Sequence, residues 1–190
     1  MSKRGLCSDD IMREGMKLVV EKGYDNFSLR EIAARLDVKP ASLYNHVQGI
    51  SEIRTAIAIE AAGMLNNTLT KSIKDKPADE AFLDGTRAYR QFAYENHEIY
   101  KALIRMPSSD DENIVKAAFS SYEPLHMLIM GYGAEEKATI HFLRSLRCAM
   151  HGFVELTLNG FMQHGSVTRD ESYELIIHSF LEILKGLPKS

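Results

Sequence analysis

Cysteine is scarce: the 190-residue chain has two, Cys7 and Cys148, far apart in sequence. Two such residues make neither a disulfide framework nor a zinc knuckle, and a reducing cytoplasm is the expected setting. Long apolar runs are missing too. No stretch approaches the roughly 20 apolar residues of a membrane span, and the first residues, MSKRGLCSDD, lack the apolar core of a signal peptide. No membrane association is expected. Charge of one sign is also lacking. The net charge is −3, with nine Lys/Arg against eight Asp/Glu over residues 1–54 and fourteen against eighteen over residues 55–190. A global polycation is excluded, so any nucleic-acid contact requires a local basic face.

Signatures of catalysis are absent as well. There is no Gly-x-Ser-x-Gly elbow, no phosphate-binding loop and no dinucleotide fingerprint. His151 and Glu155 lie four apart, with His126, His141 and His164 elsewhere in the same half, but the one Glu-x-x-His, Glu123 to His126, has no second copy of the kind a bundle metal site uses. The cysteines have no flanking base that marks a nucleophile. The expectation is no enzyme, no catalytic residue, no metal and no cofactor.

What is present is helical. Only five prolines (Pro40, Pro77, Pro107, Pro124 and Pro188) interrupt stretches rich in Ala, Leu, Glu, Lys and Met, and no alternating strand pattern appears. The first helix is expected from Ser8, as its N-cap, to Gly23. A second follows the Ser28/Glu31 capping box and shows Leu29, Ile32, Ala33 and Leu36 on one stripe. Then come a short helix within 38–47, a long one over about 50–73, one over 78–96 and a shorter one to Met106. A helix over 114–130 bent at Pro124, one over 134–163 and a last over 173–187 complete the set.

The short stretch VKPASLYNHV is the informative one. At 100° per residue, with Leu43 and Val47 inward, Ala41, Ser42 and Asn45 point outward and Tyr44 and His46 flank them. Small and polar residues on that face suit entry into a DNA major groove. Ser42 and Asn45 have the chemistry to meet base edges, while Lys39, Tyr44 and His46 can position the helix on phosphates. With the preceding helix and turn this is a helix-turn-helix pattern. Arg30, in the first turn of the second helix, lies within reach of the same groove.

Residues FSLREIAARLDVKPASLYNHVQGISEI closely resemble the DNA-binding head of the tetracycline-repressor (TetR) family of transcriptional regulators. The features that carry the likeness are Gly23, Ser28, Ile32-Ala33, Leu36, Val38, Ser42-Leu43-Tyr44 and His46-Val47, in register. The resemblance implies an all-α protein with a three-helix DNA-binding domain over 1–48 and a ligand-binding and dimerisation domain over 49–190. It implies operator contacts by Arg30, Lys39, Pro40, Ala41, Ser42, Tyr44 and His46, to which the reading of the residues adds Ser28 and Asn45. Ile50 departs from the family, which often has a phosphate-binding lysine there; either backbone amides at the start of the following helix substitute for it or that phosphate contact is missing. Lys3 and Arg4 are candidates for a basic arm.

In the second half, the helix around 140–162 is apolar on two sides and must be buried twice. Its stripe of small and apolar residues, Ala149, Gly152, Leu156 and Gly160, together with Ile177 and Leu184 of the last helix, is the expected interface of a homodimer. Residues 148–161 also resemble a TetR subgroup named for a Trp-His-Gly element, here Met150-His151-Gly152. The family resemblance implies a cavity for an apolar inducer. Its expected walls are Phe82, Tyr89, Phe92, Tyr122, Met150 and Phe153. The expected function is a repressor released from a palindromic operator by a small molecule; the alternative is a helical adaptor without specific DNA binding.

Overall fold

The computed structural model describes residues 6–107, 109–163 and 165–189. They form ten helices: α1 (Ser8–Lys22), α2 (Leu29–Arg35), α3 (Pro40–Leu43), α4 (Ile50–Ile73), α5 (Ala78–Glu95), α6 (His97–Ile104), α7 (Glu112–Ser120), α8 (Glu123–Met130), α9 (Glu136–Leu158) and α10 (Arg169–Lys185). Among the described residues the only strand-like pairing is one antiparallel bridge between Ala134 and Lys189. The protein is all-α.

Helix ends correct the sequence reading at three places. The N-cap of α1 is Cys7, not Ser8. The Asp10 carboxylate accepts from the Cys7 amide at 3.4 Å and from its thiol at 3.0 Å, and Ser8 is freed to donate its hydroxyl to the His46 carbonyl at 3.3 Å. The expected bent helix over 114–130 is two helices, α7 and α8. Pro124 sits in the first turn of α8, where its missing N–H costs nothing, so it starts a helix rather than bending one. The last helix begins at Arg169 because Thr168 and Glu171 form a capping box: the Glu171 amide donates to Thr168 Oγ1 at 3.1 Å and the Thr168 amide to Glu171 Oε2 at 2.7 Å.

The chain divides into two compact units, Met1–Met64 with Asn96–Ser121, and Leu65–Glu95 with Tyr122–Ser190. In the first, Ile11, Leu18, Val19, Ile32, Ala33, Leu43, Ile53 and Ile57 are buried. Gly15 lets three helices meet: a Cβ there would lie 3.0 Å from Ile53, 3.5 Å from Ile57 and 3.6 Å from Ile32. Helix α6 belongs to this unit through Glu98, which accepts from the Tyr24 amide at 2.7 Å and from Lys101 Nζ at 2.7 Å. Burial opposes ionisation of Glu98, but Lys101 and the Tyr24 amide outweigh it, and its pKa lies below the ordinary 4.5. A depressed carboxylate contributes stability that is complete above its unfolded pKa and is lost as pH falls through the folded value. Glu98→Ala therefore costs about 1–3 kcal/mol at neutral pH, since the Tyr24 amide loses its acceptor. The variant and the parent converge below the ordinary Glu pKa of 4.5, and thermal melts across that range check this.

The second unit packs α5 against α8, α9 and α10. Phe82 meets Phe142 at 6.3 Å between ring centroids, Phe142 meets Phe180 at 5.6 Å, and Phe153 meets Tyr173 at 5.0 Å. The buried Tyr173 hydroxyl donates to the Thr86 carbonyl at 2.7 Å, and burial pushes its phenol pKa upward. Arg87 of α5 grips Glu174 of α10 with two bonds, 2.9 and 2.6 Å. Gly85 is required by close approach: a Cβ would lie 2.6 Å from Leu125 Cδ2 and 2.9 Å from Ile73 Cγ2. Gly85→Ala is expected to cost about 1–3 kcal/mol through overpacking, read as a lower denaturation midpoint.

Candidate functional site

The first unit exposes one constellation whose chemistry points outward. Helix α2 starts on Ser28, whose hydroxyl oxygen accepts from the Glu31 amide at 3.4 Å and which donates to Glu31 Oε2 at 2.8 Å. The helix closes through the Leu36, Asp37 and Val38 amides, which donate to Ile32, Ala34 and Ala33 carbonyls at 3.1, 3.3 and 3.0 Å. Asp37 turns the chain at φ +53°, a left-handed conformation that Asp tolerates better than most side chains. Pro40 then opens α3 at its first position, where a preset φ suits a helix start. The helix is only four residues long and runs out as a turn, with the His46 and Val47 amides both bonded to the Leu43 carbonyl at 2.9 and 3.0 Å.

Leu43 is fully buried and Val47 nearly so, at 0% and 7% exposure, and they pin this segment to the core. The opposite face is open. Lys39, Pro40, Ala41 and Asn45 are exposed, Ser42 and His46 half-buried, and Tyr44 is 60% exposed, a large aromatic ring with no core to fill. Arg30 is exposed at the start of α2. Neighbouring charges are already matched: Arg35 pairs with Glu21 and Lys22 with Glu31. Both carboxylates are held below their ordinary pKa, chiefly by those hydrogen bonds. Arg30 and Lys39 have no ion-pair partner among the described residues, which leaves two cations beside the polar face.

The start of α4 differs from the expected amide site. The Gln48 amide donates to Glu52 Oε2 at 2.6 Å, so a carboxylate of the same helix sits at the end where a phosphate would otherwise dock. Lys3 and Arg4, the candidate arm, lie outside the described residues, as does His164.

The expected pocket walls are scattered through the core of the second unit. Phe82, Tyr89, Phe92, Met150 and Phe153 are at most 5% exposed, and Tyr122 lies beneath the Arg147 guanidinium at 5.0 Å. Of these six, Phe153 alone lines one of three described hollows. The expected dimer residues divide. Ile177 and Leu184 are each 0% exposed within the single chain, so they are core and have no surface to offer a partner. Gly160 lies beyond the end of α9, at φ +82° in the turn that stops it. Ala149 and Gly152 are half-buried on α9, open space surrounds a Cβ built on Gly152, and Leu156 is 43% exposed. Missed at the sequence level are Leu175 and Ile183 of α10, exposed at 70% and 53%, and Ile140 of α9 at 41%. The available signal was an apolar i, i+8 pair on α10, which does not by itself tell an open face from a covered one. Among the described residues no three His, Cys, Asp or Glu side chains converge as a metal group, and no helix is long and apolar enough to cross a membrane.

Two family models match the chain. The model for bacterial regulatory proteins of the tetR family matches residues 11–57, and that for the tetracyclin repressor-like C-terminal domain matches residues 82–180. The HTH-type transcriptional regulator YobS of Bacillus subtilis is 31% identical over 157 residues, covering 82% of each chain. An HTH-type transcriptional regulator of Mycobacterium tuberculosis is 27% identical over 83% of this chain and 72% of its own. Among solved structures, a protein from Rhodococcus sp. RHA1 superposes with a TM-score of 0.79 at 17% identity, covering 99% of this chain and 98% of its own. A TetR variant from Acinetobacter baumannii AYE, solved in complex with minocycline, gives 0.70 at 18% identity over 98% and 100%. The two matched models and the shared helix-turn-helix place this chain in the TetR family of DNA-binding transcriptional regulators.

Proposed function

We propose that the chain acts in the cytoplasm as a homodimeric repressor, released from an inverted-repeat operator by a small molecule. The observation that carries this reading is the outward face of residues 39–46, polar and aromatic at the surface and anchored by buried Leu43 and Val47. Ser42 and Asn45 meet base edges, and Ala41 keeps the helix close to them. Lys39, Pro40, Tyr44, His46, Arg30 and Ser28 set it on the sugar-phosphate backbone. Residues 1–48 form the reading head and 49–190 the regulatory and dimerisation part.

Dimerisation is supported by apolar residues left open on the last two helices: Ile140, Gly152 and Leu156 on α9, Leu175 and Ile183 on α10. Twofold pairing presents two heads to successive major grooves, about 34–36 Å apart or a multiple of that. A ligand that binds better to another head spacing lowers the population of the DNA-competent state in proportion to that difference in affinity. The A. baumannii TetR variant bound to minocycline is a precedent for a ligand on this fold.

The test is a gel-shift titration of the purified protein with DNA from beside its own gene and with scrambled DNA. A sequence preference that persists as salt rises supports the reading. Weak binding that is equal for both DNAs and vanishes with salt marks a helical adaptor instead.

A further inference from the structure

A hollow of about 490 Å³ in the second unit is lined by Tyr94 at the end of α5, Thr157 and Leu158 at the end of α9, and Thr168, Arg169 and Asp170 at the start of α10. Its wall holds polar groups that the fold leaves unanswered. The Tyr94 hydroxyl and Thr157 Oγ1 are buried without a hydrogen-bond partner, and Thr157 is only 8% exposed. Buried hydroxyls are normally bonded, and a helical threonine readily bonds a carbonyl of its own preceding turn, so both are exceptions.

Arg90 lies beside Tyr94 and Asp170, two of these lining residues. Its side chain is 14% exposed, its guanidinium carbon lies 4.3 Å above the Tyr173 ring and 5.9 Å from the Tyr94 ring, and its Nε and Nη1 donate no hydrogen bond. Nη1 lies 3.0 Å from Asp170 Oδ1, but the N–H is not directed along that line, so the contact is ionic only. Asp170 is itself 82% exposed and free to leave. A largely buried guanidinium held by rings, with unused donors and a loosely held exposed carboxylate, is a site filled by a substitute.

We propose that this hollow binds the carboxylate of a small organic acid, which displaces Asp170 from Arg90 and receives hydrogen bonds from Tyr94 and Thr157. The Arg90 guanidinium offers donors only, which favours an anion over a neutral amide. A neighbouring hollow of about 300 Å³ shares Thr168 and Arg169 and is lined by Phe153, Met162, Val167 and Ile176, apolar side chains suited to the body of such an acid. The apolar lining of this adjoining hollow favours an organic acid over inorganic phosphate. The inference names a ligand class for the proposed induction and rests on that reading only for its effect on DNA.

Calorimetric titration of the full chain, without DNA, with octanoate and benzoate tests the site, with octanamide, benzamide and inorganic phosphate as controls. The carboxylates bind and the controls do not. Arg90→Gln weakens carboxylate binding about 10- to 100-fold, and Tyr94→Phe weakens it several-fold. Because Arg90→Gln risks the local fold, the deciding variant is Asp170→Asn at an exposed position: removing the competing carboxylate tightens binding. Amides or phosphate binding as well as the carboxylates overturns the proposal, and so does an Asp170→Asn affinity equal to or below the parent's. Carboxylate binding without change in operator affinity upholds the site and refutes the induction reading, so the two failures are distinguishable.

Discussion

Tyr44→Ala is expected to lower operator affinity about 30-fold or more while the melting temperature and oligomeric state stay at the parent values. The ring is 60% exposed, so its removal opens no enclosed cavity. It sits one residue after Leu43, whose burial fixes the backbone that carries it. The loss is therefore a binding loss. Leu43→Ala, next door, gives the opposite pattern, with a stability cost of about 2–5 kcal/mol and affinity lost only because the head unfolds. Measuring melting and DNA binding on both variants separates the two. A Tyr44→Ala protein that melts early, or binds DNA as the parent does, contradicts the role assigned to this face.

The second large effect is on assembly. Leu175→Asp combined with Ile183→Asp is expected to turn the proposed dimer into a folded monomer, read by sedimentation, and to reduce specific DNA affinity about 100-fold or more. The second half-site contact is then no longer intramolecular. Both positions are more than half exposed in the single chain, so a charge there meets water until a partner arrives. Ile177→Asp on the same helix instead buries an unpaired charge at a 0% exposed site and unfolds the second unit. If the double variant still sediments as a dimer, these two residues do not form the interface.

The head was legible in the sequence because local rules and global packing agree there. The Ser28 cap, the Ile32-Ala33 stripe, Pro40 at a helix start and the Leu43/Val47 spacing all specify one arrangement. The second half was less legible. Periodicity marks Ile177 and Leu184 as one apolar stripe of α10 and Leu175 and Ile183 as another. It does not say which stripe α5 and α9 cover and which is left open, because that depends on contacts between elements distant in sequence. The pocket walls were hard to read for a similar reason. Large aromatics such as Phe82 fill the core as readily as they line a cavity, and the described hollow beside Arg90 is marked by polar residues. The missed start of α10 had a local signal, Thr168 with Glu171 three residues on, inside a stretch read as a connection.

Selection of binding sites from random DNA with the purified protein, followed by hydroxyl-radical footprinting of the enriched sequence, tests the central claim most directly. The account predicts an inverted repeat, with two protected patches on one face of the duplex about one helical turn apart or a multiple of it. It also predicts that Ser42→Ala alters the enriched bases without changing the spacing of the patches. No enrichment over random sequence, or protection that Tyr44→Ala and Ser42→Ala leave untouched, contradicts it.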